Sequence, residues 1–367
     1  MTEALERYRL CEACFERQAG NAKDFEVVRG SDCFICAGLM DRVEPVSESA
    51  RRQAARYEFG TFGVGVMMPE GVQEREDEIR STLRLKGKQT VKTQLSALVA
   101  ARLAQELRKK QNKTNPDLTI LVDFGGSQIK LQSRPLFFYG RYAKPRGVAQ
   151  RRELCRVCMG KGCESCGQTG FDTSPSVEEK VGRKLVAATG ASGAKFTWIG
   201  SEDMESAVGG TGRPFVVELK NPRARKVPKR FVAGGRGGRV AVSRGRILPS
   251  KPTKLPTFRF HTRITAIAIA KINDEELGEL AKAFRNATVV FDRPNERPVS
   301  KTVYSVRAKA RGRTLMIDAE LDGGLPVKRF VSGELVSPSV SEVLGIQVRC
   351  LRFDIMKVVE KGGLMFA

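Results

Sequence analysis

The 367-residue sequence carries 64 Lys and Arg against 41 Asp and Glu, a formal net charge of +23, and its length predicts two domains with a small accessory module. Such an excess of positive charge predicts a polyanionic partner, because each Lys or Arg placed on a phosphate releases condensed counterions. No stretch approaches the roughly 20 apolar residues of a membrane-spanning helix, and residues 1–10 lack the apolar segment of a secretory signal. A cytoplasmic location with no membrane partner is therefore expected, where clustered cysteines are metal ligands and not disulfides.

Cys11, Cys14, Cys33 and Cys36 open the chain as two CxxC pairs, the spacing of a tetrahedral zinc ribbon, in which each pair sets two thiolates on one tight knuckle. Residues 1–150 then read as mixed α/β. Val91, Leu95, Leu98, Val99, Leu103 and Leu107 recur at helical spacing within 88–110, with Lys and Arg on the opposite face. After the breaker Asn115-Pro116-Asp117, residues 118–124 are β-branched and apolar, as in a strand, and an aromatic run at 135–142 ends in basic residues.

Residues 151–175 form a separate module too poor in apolar residues for a core. Cys155, Cys158, Cys163 and Cys166 lie among glycines that allow positive-φ turns, and four thiolates so close could hold one zinc. The pattern resembles the cysteine repeats of DnaJ chaperones, although only one repeat pair is present. An iron–sulfur cluster is the chemical alternative for either quartet. Cys350 is left over, with a buried structural role as its expectation. With a single histidine, His261, neither quartet reads as catalytic metal, and no phosphate loop is present.

From 176 to 367 the pattern is mixed again. Ser176 with Glu179 is a capping-box signature, residues 193–218 read as strand, loop and strand, and Asp203 sits on that loop beside Gly212-Arg213-Pro214-Phe215. Residues 223–259 contain no acid but many Arg, Lys, Gly and Pro, a composition expected to stay partly disordered until RNA binds. Beyond it, 263–270 alternates like a strand, 274–284 is helical and 301–317 is a hairpin. The fold class expected is α+β, with no solenoid repeat.

The ordered matches resemble one family: the archaeal tRNA pseudouridine synthases that act on positions 54 and 55, with their eukaryotic homologue. They comprise the paired CxxC, Asn115-Pro116-Asp117 with Val122-Asp123-Phe124, Tyr139-Gly140-Arg141-Tyr142 with Arg146, Gly147 and Gln150, the cysteine knuckle, Ser176–Glu179, the block from Glu202-Asp203 to Phe215, Gly323–Lys328, and 332–341. The resemblance implies a THUMP-like RNA-binding domain over 1–150 carrying the zinc ribbon, the knuckle at 151–175, and a pseudouridine-synthase catalytic domain of mixed α/β fold over 176–367.

It further implies a monomeric isomerase acting on the tRNA T-arm without organic cofactor, with zinc as a structural metal only. The family's catalytic aspartate falls on Asp203, as nucleophile or electrostatic partner, and its basic neighbour on Lys328. Ser201 stands where the family has Arg. The family's uracil-packing Tyr aligns with Ile264, so Tyr304 is the candidate replacement. Arg141, Arg146, Arg223, Arg225, Lys226, Lys229, Arg230, Arg236 and Arg239 are expected on RNA phosphates, together with Lys109, Lys110, Arg151 and Arg152, and the aromatics beside Arg141 on unpaired bases. The alternative function is a tRNA-binding protein that kept the fold and lost the chemistry.

Overall fold

The computed structural model describes residue 5 and residues 7–20, 26–85, 89–235, 238–292 and 297–366. It divides into two compact units, Met1–Pro135 with Asn221–Arg225, and Leu136–Lys220 with Lys226–Ala367.

In the first unit, α1 (Glu12–Ala19) and α2 (Val43–Ala54) precede β1 (Thr61–Met67), α3 (Val72–Thr82), α4 (Val91–Leu107), β2 (Lys110–Gln111), β3 (Leu118–Asp123) and β4 (Gln128–Ser133). The sheet order is β2-β1-β3-β4, with β1 parallel to β2 and β3, and β3 antiparallel to β4. The expected long helix is α4. The Thr90 hydroxyl caps it by accepting from the Thr93 amide, and Val91, Leu95, Val99 and Leu103 bury one stripe. Leu98, expected on that stripe, is 41% exposed, because the buried positions recur every fourth residue and 98 lies off their line.

Asp117 explains the strand start: its carboxylate accepts from the Gly60 and Thr61 amides at 3.0 Å and pairs with Arg134 at 2.6 Å. These bonds fix where β1 and β3 come together.

The second unit begins with β5 (Leu136–Lys144), followed by α5 (Val177–Thr189), β6 (Gly193–Trp198), β7 (Val208–Lys220), β8 (Phe231–Ala233), β9 (Val240–Leu248), β10 (Pro252–Lys254) and β11 (Thr257–Ala268). Next come α6 (Asp274–Ala283), β12 (Ala287–Phe291), β13 (Val299–Arg311), β14 (Thr314–Asp322), α7 (Val327–Ser332), β15 (Val336–Ser337), α8 (Val340–Leu344), β16 (Val348–Lys361) and β17 (Met365–Phe366). One large sheet runs β15-β12-β13-β14-β11-β16-β7-β5-β9-β8, with β6 also paired to β7 and a separate β10–β17 pair. Its apolar face carries Phe138, Phe215, Val217, Ile264 and Ile317 against Val177, Val181 and Leu185 of α5, Leu280 of α6 and Phe330 of α7. The mixed α/β class follows.

Three expectations change here. Strand β5, read with the first domain, hydrogen-bonds to β7 and β9 of the second unit. The acid-free run is not one disordered segment: Asn221–Arg225 packs with the first unit, and β9 takes the open edge of β5, which lets Val240, Val242 and Leu248 bury despite the basic residues between them. Lastly, Ser176 does cap α5 by accepting from the Glu179 amide, but the Glu179 carboxylate pairs with Arg183 instead of closing the box.

Candidate active site

The loop between β6 and β7 presents Asp203 to a cavity of about 730 Å³, within the range of ligand sites. Its walls include Arg151, Glu153, Phe260, Asp322, Lys328 and Phe353. Asp203 Oδ2 lies 2.6 Å from Lys328 Nζ, and Oδ1 accepts from the Ser206 hydroxyl at 2.8 Å. The Asp203 carbonyl accepts from Lys144 Nζ at 3.1 Å. Partial burial works to raise the Asp203 carboxyl, but the Lys328 and Ser206 hydrogen bonds and the Lys144 charge hold it below the usual carboxylate range. Lys328 in turn is held up by its bond to Asp203.

A buried polar cluster fixes the loop from beneath. Glu202 is enclosed; it accepts from the Tyr142 hydroxyl and pairs with Arg213 at 2.7 Å. Gln150 donates to the Tyr142 oxygen at 2.9 Å and to the Gly200 carbonyl at 3.3 Å. Arg213 Nε donates to the Ile199 carbonyl at 3.0 Å. Gly200, at φ +72°, leaves room for this guanidinium, since a Cβ there would stand 2.3 Å from Arg213 Nη2. Burial and the adjacent Glu202 charge push the Tyr142 phenol well up, so it stays a donor. Removing one member would strand a buried charge or donor.

Ile264 is fully buried in the core and does not line the cavity, whereas Phe260, four residues earlier on the same face of β11, does. Arg213 stacks on its ring at 5.0 Å. The signal that could have found it is the alternation Phe258, Phe260, Thr262, Ile264, in which two aromatics precede the position aligned with the family's Tyr. Tyr304 lies outside this cavity, in a neighbouring one of about 410 Å³ that shares Gly200, Phe260, Asp322 and Gly324 with it. Its hydroxyl donates to Asp322 at 2.7 Å, and its ring meets Arg259 at 3.6 Å and Lys361 at 4.4 Å. Ser201 is exposed on the cavity wall. His261 is half-exposed and 3.5 Å from Glu320. Cys350 is half-buried, its thiol pushed up to about 11 by burial, with opposing influences from Lys328 and Asp203.

The cations expected on RNA divide. Arg141 is 3% exposed and donates to the Val358 carbonyl at 2.8 Å, so it holds the sheet and offers nothing to a phosphate. Phe138, Tyr139 and Tyr142 beside it are core residues for the same reason: β5 is a central strand, covered on both faces. Arg146 pairs with Asp354. Arg225 donates to Ser133 and to the Arg134 carbonyl, within the first unit. Arg223, Lys226, Lys229, Arg230 and Arg239 are exposed. Arg236 lies outside the described residues.

Both cysteine quartets assemble, each with its sulfurs within 4.8 Å of one another. Sγ–Sγ distances are 3.7 Å for Cys11–Cys36, 3.8 Å for Cys155–Cys163 and Cys158–Cys166, and 3.7 Å for Cys163–Cys166. Four thiolates about 2.3 Å from one tetrahedral ion stand about 3.8 Å apart. Either quartet therefore fits a single ion, whereas an iron–sulfur cluster spreads its thiolates over several irons.

Similarity to known proteins follows the same division. Residues 46–123 match the family described as "Pus10 THUMP domain, archaeal" and residues 137–235 that described as "Pus10, C-terminal". The tRNA pseudouridine synthase Pus10 of Cenarchaeum symbiosum is 35% identical over 97% of this chain and 91% of its own. That of Nitrosopumilus maritimus is 30% identical over 98% and 97%, and that of Methanocaldococcus jannaschii 31% identical over 93% and 79%. Among solved structures, the archaeal box H/ACA sRNP Nop10–Cbf5 complex is 10% identical over 60% of this chain and 47% of that chain, at a TM-score of only 0.32.

Proposed function

Because this chain belongs to the Pus10 family of tRNA pseudouridine synthases, we propose that it isomerises uridine to pseudouridine in the tRNA T-arm, at position 54, 55 or both, with Asp203 as the catalytic nucleophile. The observation that carries this reading is the Asp203–Lys328 pair, 2.6 Å apart on the wall of a cavity that also holds Phe260.

The reaction moves no electrons to or from a cofactor. The bond from the ribose C1′ to N1 of uracil breaks, the base rotates, and a bond from C1′ to C5 forms; C5 loses a proton and N1 finishes with one. An ionised carboxylate serves that sequence, and Lys328 keeps Asp203 ionised in a partly desolvated wall. Phe260, with the Arg213 guanidinium over its ring, offers an aromatic wall beside the flipped base. Tyr304 acts at one remove, by holding Asp322. The buried Glu202–Arg213–Tyr142 cluster keeps the Asp203 loop in place.

Zinc is the ion we assign to both quartets, held by Cys11, Cys14, Cys33 and Cys36 and by Cys155, Cys158, Cys163 and Cys166; it would close the loops and take no part in the reaction. The first unit and the exposed cations Arg223, Lys226, Lys229, Arg230 and Arg239 would bind tRNA, with the chain acting as a monomer in the cytoplasm. Among the described residues no helix is long and apolar enough to cross a membrane.

The test is site-resolved pseudouridine mapping of unmodified tRNA with the purified chain and Asp203→Ala. Product in the T-arm from the parent, with a loss of at least about a thousandfold in the variant, is the expected result. Tight tRNA binding without product from either protein would leave the RNA-binding reading in its place.

A further inference from the structure

The second cysteine quartet is set unlike an ordinary structural knuckle. It carries Leu154 at 53%, Val157 at 72% and Met159 at 70% exposure, three large apolar side chains within six residues. A purely structural staple gains nothing from showing them to water, and a compact exposed apolar group marks a contact surface. The root of the same knuckle, Arg151 and Glu153, lines the Asp203 cavity.

The base of the knuckle is tied to the rest of the unit. The Arg152 amide donates to Glu178 of α5 at 3.1 Å, and the Arg152 guanidinium stacks 3.7 Å from the Phe171 ring. The Asp172 amide donates to the Glu153 carbonyl at 2.8 Å and the Cys155 amide to the Gly170 carbonyl at 2.9 Å. Gly170, at φ +75°, touches Gly160 so closely that a Cβ would meet its carbonyl oxygen at 2.5 Å. These contacts hold the base of the knuckle beside Arg151 and Glu153 on the cavity wall. Around it stand Arg151, Arg152, Arg156 and Lys161 against Glu153 and Glu164, an excess of cations that suits a phosphate backbone and disfavours a second copy of so basic a chain.

We propose that Leu154, Val157 and Met159 pack on an unpaired base of the RNA strand that delivers the target nucleotide to the Asp203 cavity, while the flanking arginines hold its phosphates. The inference rests on the uridine-isomerase reading for the identity of the target. The physical logic is that a base leaving its stack exposes the face of its neighbour, and an apolar side chain placed there lowers the cost of the open state.

Two measurements on the full chain test it. A photo-reactive aryl azide amino acid at position 157 should crosslink to T-arm nucleotides of unmodified tRNA, while the same group at the exposed position 316 of β14 should not. A crosslink to a second copy of the chain, or none to RNA, overturns the proposal, and this readout does not depend on turnover. The variant carrying Val157→Ser and Met159→Ser should keep its metal content and bind tRNA within about threefold of the parent, yet lose about tenfold in single-turnover rate. An unchanged rate also overturns it. A parent chain that crosslinks but makes no pseudouridine would count against the isomerase reading and leave the contact standing.

Discussion

The two cysteine quartets have the same ligands and nearly the same spacing between sulfurs, but they sit in opposite surroundings. Cys11, Cys14, Cys33 and Cys36 are all buried, and they share a core with Leu10, Phe15, Ile35, Leu39 and the sheet residues Phe62, Ile120 and Val122. Around them a buried network tightens the first unit: Arg17 reaches the Cys14 sulfur at 3.4 Å and Glu76 at 2.8 Å, and Glu76 also accepts from the Val91 amide at the start of α4. Cys155, Cys158, Cys163 and Cys166 fall within twelve residues of chain and belong to no hydrophobic cluster. The same four-thiol set therefore sits within the core of one unit and in a short loop of the other; what differs is how much apolar surface surrounds it.

The largest effect should come from breaking the first quartet. Cys14→Ser leaves a buried hydroxyl beside a buried guanidinium and removes a ligand, so it should cost at least about 3 kcal/mol and release one ion per chain. Denaturant unfolding followed by circular dichroism, with metal content by mass spectrometry, reads both. If the first unit unfolded at the parent's midpoint, its quartet would be no more central than the second.

A middle-sized effect separates both metals from the chemistry. Lys328→Met should leave two ions bound while shifting the acid limb of the pH–rate profile upward by about one unit, because burial of Asp203 is then opposed only by the Ser206 hydrogen bond and the Lys144 charge. The sign runs the same way for stability: a carboxyl held below its ordinary value near 3.8 stabilises the fold above that value and loses the contribution as pH falls through the lowered one. An unmoved acid limb would remove Lys328 from the site. Smallest is Cys158→Ser, which should release the second ion yet shift unfolding by less than about 1 kcal/mol, since the knuckle opens locally without uncovering the core. A large loss here, measured by the same denaturant curves, would erase the contrast between the quartets.

Much of the site was legible before any coordinates. The two CxxC pairs and the glycine-rich quartet announce candidate ligands by spacing alone, because four thiols so close in sequence suit one tetrahedral ion. Asp203 stands where expected, on the β6–β7 loop, with Lys328 as its neighbour. Phe260 on the cavity wall was passed over and Tyr304, which lines the neighbouring cavity, was named instead, because alternate residues of a strand share one face and sequence does not say which of them reaches a cavity. Arg141 and its aromatic neighbours looked like an RNA surface for a related reason. A strand rich in Tyr and Arg reads as exposed unless both of its flanking strands are known, and those strands, β7 and β9, follow it in the chain by more than sixty residues.

Charge, ligand identity and helix stripes are local properties, settled by composition and by periodicities of two to four residues. They pointed to a basic, mixed α/β protein with two four-cysteine sets and a polyanionic partner, and the resemblance to a family added RNA modification and the acidic residue on its loop. Which cations stay in water, which ring lines the Asp203 cavity and which quartet is enclosed depend on pairings between distant strands. Those pairings alone decide which face of each element meets solvent, and so whether the same residue type serves the core, the cavity or the partner.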